Sequence, residues 1–470
     1  MDGLEVSEMK LSGVLAAAST FRLDSDYYQK AYLLAEERIK NSPDSFRTIE
    51  SLGLTVDGSA FYPSIEPCYG TGSLPFIRVA DVDGIIDYGR CVTIPEELTE
   101  RFATLDAVSP GDIVLTKGGS VARVGFVTQR AAASRDLIFI NSAKLPNVEQ
   151  IFLYLYFLTD FCNRLLVRSS SQTAQPHLTI TLVKHIPIFR ASAGFKKAVF
   201  DVVQLSSRKL AESKRLVEQA EEALFAGLDL KSWQPNDSLS CTRSAAEVFA
   251  AGRFDAEYFR PRYQSLLKLL RRQGKTLHDV ARLREDMFTP QPGQPFHYIE
   301  IGDLAADGAA TSHVVPGEEA PSRATWIVQP GDVITSTVRP IRCLTGLIEP
   351  EQAENICSSG FAVLTPKGIP GELLFAYLRL PVICELMDLH TTASMYPAIS
   401  TTDLMRLPFL LPDDATIKKV KQQITAARAA RREAHALLEK AKQAVEVAIE
   451  YSEGKGLALL AESKAIPLRN

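Results

Sequence analysis

Much of the chemistry that a 470-residue chain could carry is missing from this one. Its seven cysteines, at positions 68, 91, 162, 241, 343, 357 and 384, form no Cys-x-x-Cys pair, and their number is odd. They read as buried thiols of a reducing compartment, not as a disulfide framework. The seven histidines are scattered without an HxH or HxxxH spacing, so no metal site is expected. The longest apolar run, Ile151–Leu158, is far shorter than the roughly 20 residues that span a bilayer. Asp2, Glu5 and Glu8 precede only a feeble apolar patch, so no signal peptide is expected and the chain reads as cytosolic. Positive charge is not in excess either. A net charge of −4 argues against a generic nucleic-acid coat, which would be strongly basic.

Catalytic signatures are absent too. There is no GxxxxGK[ST] phosphate loop, because Gly70–Phe76 lacks the lysine and a following helix. There is no GxSxG elbow, no HExxH, and no methyl-donor loop with an Asn/Asp-Pro-Pro-aromatic partner. The carboxylate pairs Asp24/Asp26 and Asp255/Glu257 stand beside tyrosines at helix mouths, where capping and bracing is the expected role.

What is present is a soluble composition, 46% hydrophobic and 23% charged, long enough for two to four domains. Near the middle lies Phe195–Leu228, with no proline and a single glycine at its end. Val203, Leu210, Val217 and Leu224 repeat every seven residues, and Val199, Ser206, Ser213 and Ala220 fill the second seam position. That is a helical heptad stripe whose small residues admit a close partner. A second such stretch, Ala415–Glu450, carries Ile417, Ile424, Leu438 and Val445, interrupted by Arg431. Val420, Ala427, Ala434, Ala441 and Ala448 form its other seam. Two helices of matching length with small seam residues suit an antiparallel pair.

Each stretch follows the same kind of block, so the chain reads as an internal duplication. Arg22, Asp24, Asp26, Tyr27 and Tyr28 match Arg253, Asp255, Glu257, Tyr258 and Phe259, and both sets lead into a short amphipathic helix. The strand-turn unit Pro75–Gly84 matches Pro295–Gly308, and the Pro-Gly-Asp turn of Val108–Gly119 matches that of Val328–Arg339. Gly125–Val127 matches Gly346–Ile348. A helix over Val148–Val167 matches one over Gly371–Leu389. Pro176 and Pro397, and likewise Pro187 and Pro408, stand 221 residues apart. The period far exceeds that of solenoid repeats, so each copy is a domain plus a helix. Lys231–Ser240 reads as the linker between the copies.

Two kinds of polar segment are candidates for contact with nucleic acid. One is the hairpin Leu115–Phe126, presenting Lys117, Ser120 and Arg123, with Arg339 and Arg342 in the corresponding place of the second copy. A plain glycine-containing hairpin fits that sequence equally well. The other is the polar stretch after each block helix, with Arg168 and Gln172 in the first copy and Thr391, Ser394 and Tyr396 in the second. The basic run Lys418–Arg432 reads first as a solvated face, with phosphate or partner contact as the minority reading.

The order of these motifs, occurring twice over about Phe21 to Glu450, resembles the DNA-specificity subunit of type I restriction–modification systems. The resemblance implies an α+β chain: two duplicated α/β target-recognition domains separated by two long helices that form an antiparallel coiled coil. The expected boundaries are 1–190 for the first recognition domain and 191–230 for its helix. Residues 231–412 are expected to form the second recognition domain, and 413–470 the second helix and tail. The resemblance further implies a non-catalytic subunit that binds a bipartite site on double-stranded DNA, with no cofactor of its own. Two adenine-methyltransferase subunits and, in the full complex, ATP-dependent restriction subunits would be its partners, carrying S-adenosylmethionine and ATP. The second copy lacks the Lys-Gly-Gly of the first hairpin, so the halves are expected to read different sequences. Two alternatives stay open: the specificity subunit of a related phage-defence system, and a coiled-coil scaffold that touches no DNA.

Overall fold

The computed structural model describes residues 6–17, 24–41, 47–60, 64–118, 121–168, 170, 177–238, 240–305, 307–392 and 396–464. Arg22, Ser120, Gln172, Pro176 and Ser394, all singled out by the sequence, lie outside the described residues. The chain divides into two compact units, residues 1–209 with 432–470, and residues 210–431. Each unit holds one block and part of each long helix.

The two long helices run from Ala193 to Gly227 and from Asp414 to Glu450, 35 and 37 residues. In the first unit Val199, Val203 and Ser206 are buried with Ala434, Ala441, Val445 and Ala448. Ser206 donates its hydroxyl to the Ala434 carbonyl at 2.7 Å, and Lys209 pairs with Glu433 at 3.1 Å. A seam serine can sit here because its donor bonds a backbone oxygen of the facing helix, so burial leaves nothing unsatisfied. In the second unit Ser213, Val217, Ala220 and Leu224 are buried with Val420, Ile424 and Ala427. A Cβ on Gly227 would lie 2.6 Å from the Thr416 side chain, so the end of the first helix packs against the start of the second. Within each unit the numbering of the paired segments runs in opposite directions, so the pairing is antiparallel, as the seam residues predict. Arg431, which interrupts the stripe, lies 3.4 Å from Glu349 and 3.6 Å from Asp307. Arg428 makes a bidentate pair with the same Glu349 at 2.8 and 2.7 Å. Part of the basic run is therefore neutralised within the second unit, while Lys418, Lys419 and Lys421 remain exposed.

The blocks share one topology. In the first, a five-stranded sheet orders Val56–Asp57, Leu137–Ile140, Ile113–Thr116, Val124–Phe126 and Gly84–Ile85. In the second, Ala281–Leu283, Phe361–Pro366, Val333–Ser336 and Thr345–Leu347 follow the same order without the fifth strand. A further four-stranded sheet in each block is built around a parallel pair: Leu74–Ile77 with Ala131–Ala133, and Phe296–Ile299 with Ile356–Ser358. The Pro-Gly-Asp turns work alike. Gly111 and Gly331 take φ of 96° and 87°, a backbone state that favours glycine. The next residue closes the turn, Asp112 accepting the Ser109 N–H at 2.7 Å and Asp332 accepting that of Gln329 at 2.9 Å.

The first aspartate of each repeated motif caps, as expected. Asp24 accepts the Tyr27 N–H at 3.1 Å and Asp255 that of Tyr258 at 3.0 Å, each closing a short turn ahead of the helix Lys30–Lys40 or Pro261–Leu270. One expectation needs correction. Val148–Val167 and Gly371–Leu389 are each two helices, Asn147–Leu158 with Asp160–Arg168, and Gly371–Arg379 with Pro381–Leu389. Leu380 precedes a proline, which forces it out of the helical region, and Thr159 takes the same extended state at the equivalent place.

Candidate nucleic-acid interface

In each block the turn after the Pro-Gly-Asp strand meets the segment that follows the paired helices. In the first block the Leu178 N–H donates to the Lys117 carbonyl at 2.9 Å; in the second, the Ile399 N–H donates to the Thr337 carbonyl at 2.9 Å. The two segments that the sequence offered separately as candidates are thus stitched together by an equivalent bond in both copies.

The second block shows the fuller arrangement. Thr391–Thr392 pairs with Ala398–Ile399 as a small antiparallel ribbon, and Val338 bridges to Ala398. The Arg339 N–H donates to the Pro397 carbonyl at 2.8 Å, and the Arg339 guanidinium lies 5.5 Å from the centre of the Tyr396 ring. Arg339, Ile341, Arg342 and Tyr396 are exposed, with Tyr396 68% accessible. Arg339 and Cys343 both hold left-handed backbone, φ 49° and 54°, around the buried Pro340. A non-glycine residue with positive φ is uncommon, and a pair of them fixes this turn in one shape. The Thr391 hydroxyl is spent locally, donating to the Asp388 carbonyl at 2.7 Å.

In the first block Ala122 stands where Cys343 stands in the second and is left-handed too, with φ 67°. The next residue, Arg123, is partly exposed, its guanidinium 4.0 Å from Asp83. Lys117 is half-buried, its N–H bonded to the Asp136 carbonyl at 2.8 Å. That bond joins the hairpin to a cleft of about 440 Å³ lined by Tyr69, Arg78, Ser134 and Asp136 among others. This cleft is not legible in the sequence, because its walls come from four separate stretches, around Glu66, Arg78, Leu105 and Asp136.

Arg168 departs from expectation. It is buried, donates to the Tyr27 carbonyl at 2.7 Å and to Glu36 at 2.5 Å, and lies 4.0 Å from the centre of the Tyr27 ring. Its guanidinium braces the repeated tyrosine motif against the helix Lys30–Lys40. The bracing is repeated with a different arginine: Arg253, beside Tyr258, donates to the Leu389 carbonyl at 3.0 Å. Among the described residues no cluster of His, Cys, Asp and Glu could hold a metal ion, and no helix is long and apolar enough to cross a membrane.

No protein-family model and no curated protein matches the sequence. Solved structures do. The S subunit of a type I restriction-modification system from M. genitalium aligns with 88% of this chain and 97% of its own, at 12% identity and a TM-score of 0.35. The HsdS subunit from Thermoanaerobacter tengcongensis aligns over 74% of this chain and 82% of its own, at 18% identity and a TM-score of 0.24. The type IIG restriction endonuclease BpuSI aligns over 38% of this chain and 29% of its own, at 11% identity and a TM-score of 0.32.

Proposed function

We propose that this chain is a DNA sequence-recognition subunit that binds a bipartite site and directs adenine-methyltransferase and restriction subunits to it in a type I restriction–modification complex. The observation that carries the reading is the repeated stitching of a basic, backbone-strained turn to a polar segment, once in each block. The Leu178–Lys117 and Ile399–Thr337 bonds hold equivalent turns in equivalent places. Lys117 and Arg123 on one turn, and Arg339 and Arg342 on the other, supply donors of the kind that bind phosphates and base edges. A duplicated reader suits a split site, one half per block.

The reading gives this chain no chemistry of its own. Methyl transfer and ATP-driven restriction belong to the partners, which carry S-adenosylmethionine and ATP. The mildly acidic balance fits a subunit whose partners supply part of the phosphate contact. Mapping methylated adenines in host DNA with and without this gene tests the reading. A split motif that loses its methylation when the gene is removed is the expected result. An unchanged methylation map overturns it.

A further inference from the structure

The cleft beside Lys117 holds an arginine prepared for a directional contact. Arg78 follows the strand Leu74–Ile77 and opens a short turn, where Asp81 accepts its N–H at 2.9 Å. The same carboxylate takes the side of the guanidinium, from Nε at 2.9 Å and from Nη2 at 3.2 Å. Asp81 is almost wholly buried and the Arg78 side chain is 37% exposed, so the pair is anchored at one end and open at the other. Its remaining N–H groups donate to no described residue. The end-on edge of the guanidinium is left over, held in plane by two bonds on its side edge.

We infer that Arg78 reads a guanine, through O6 and N7 on the major-groove edge, in the half-site bound by the first block. This rests on the DNA-recognition reading above and names a residue and a base within it. Two observations favour a base over a phosphate, and a third sets the pair beside the candidate reading turn. The Arg78–Asp81 pair is neutral as a unit, so it offers directed donors more than net charge. Glu66, Arg135 and Asp136 line the same cleft, so beside the neutral pair its lining carries no excess of positive charge to draw a phosphate. The rim is shared with the candidate reading turn through the bond from Lys117 to Asp136.

The second block contains the natural contrast. Glu300 follows the strand Phe296–Ile299 as Arg78 follows Leu74–Ile77, and Asp303 accepts the Glu300 N–H at 2.9 Å just as Asp81 accepts that of Arg78. The turn is kept while the side chain at its head changes from donor to acceptor. A carboxylate there accepts from the N4 amino group of cytosine and has nothing to offer guanine O6 and N7. The same scaffold position would thus read different bases in the two half-sites.

The test selects binding sites from a randomised duplex pool with the full chain, assembled with its methyltransferase partner, as wild type, Arg78→Ala, Arg78→Lys and Glu300→Ala. The expected wild-type motif has a guanine in one half whose preference falls on the order of 10- to 100-fold in Arg78→Ala. Arg78→Lys keeps the charge but loses the fork. It should lose the same preference while its salt dependence stays at the wild-type slope. Glu300→Ala should relax one position in the other half only. Melting curves matching the wild type exclude misfolding, and Arg78→Lys serves as the test variant if Arg78→Ala melts early. A motif unchanged in both Arg78 variants overturns the inference while leaving the recognition reading intact. A wild-type complex that enriches no motif overturns both.

Discussion

Tyr377 donates its hydroxyl to the Pro408 carbonyl at 2.8 Å, and Tyr156 does the same to Pro187 at 2.5 Å. Donors and acceptors alike stand 221 residues apart, and both tyrosines are fully buried. A lone buried proline carbonyl would be an unsatisfied acceptor at the point where each block hands over to its long helix. Tyr377→Phe and Tyr156→Phe should each destabilise the chain by about 1–2 kcal/mol, the cost of leaving such a group unpaired. Denaturant melts check this, and equal losses would show that the bond does the same work in both copies.

Arg168 is the subject of a second prediction. Removing it takes one of the two cations from the largely buried Glu36 and deletes the bond to the Tyr27 carbonyl, so Arg168→Ala should cost about 2–4 kcal/mol. DNA binding by the assembled complex should keep its salt slope at temperatures where the variant is folded. The pH dependence follows from Glu36. Burial raises its pKa, but the hydrogen bonds from Lys40 and Arg168 outweigh burial and leave it below the usual value. A carboxylate depressed in the folded state adds stability above its unfolded pKa and loses it as pH falls through the folded one. Wild type should therefore lose this increment in acid, below the ordinary carboxylate range. Thermal melts from neutral to acid pH should show a shallower dependence for Arg168→Ala.

The basic turns give a third. Lys117→Ala, Arg123→Ala, Arg339→Ala and Arg342→Ala should each weaken DNA binding by the assembled complex. Where a side chain meets a phosphate, affinity should fall for all sequences and the salt slope should flatten by about 1. Where it meets a base, one position of the site should relax by about 1–3 kcal/mol. Binding isotherms across a salt series, on cognate and single-mismatch duplexes, separate the two cases. Four unchanged variants would return these turns to the status of plain hairpins.

A fourth concerns catalysis. The purified chain by itself should neither methylate nor cut DNA, and methylation should appear when a methyltransferase partner and S-adenosylmethionine are added. Incorporation of a labelled methyl group measures this. Transfer by the isolated chain above a buffer control would end the subunit reading.

Local spacing carried a great deal of this fold. The heptad seams needed only a helical period of 3.6 residues to place Val199, Ser206 and Ala441 inward, and all three are buried. The Pro-Gly-Asp turns and the capping aspartates were legible because their partners lie three residues away. The duplication followed from the nearly constant offset between such signals, 231 residues at Asp24 and Asp255 and 221 at Pro187 and Pro408. The break at Leu380 was also written locally, in Pro381, and the helical pattern on either side concealed it.

Whatever depended on distant partners waited for the tertiary structure. Arg168 lies in a polar stretch by sequence, and only the approach of Tyr27 and Glu36, more than 130 residues away, makes it a buried brace. Arg431 looked like a fault in the stripe until Asp307 and Glu349 came within reach of it. Arg339 and Tyr396 were named separately, but the bond from Arg339 to Pro397 is what sets them on one surface. The sequence determined which residues face inward along each element, because that follows from backbone period. Which charges find partners and which stay open to a ligand was decided by the folded chain, because pairing requires contact and contact is set by the way the elements pack.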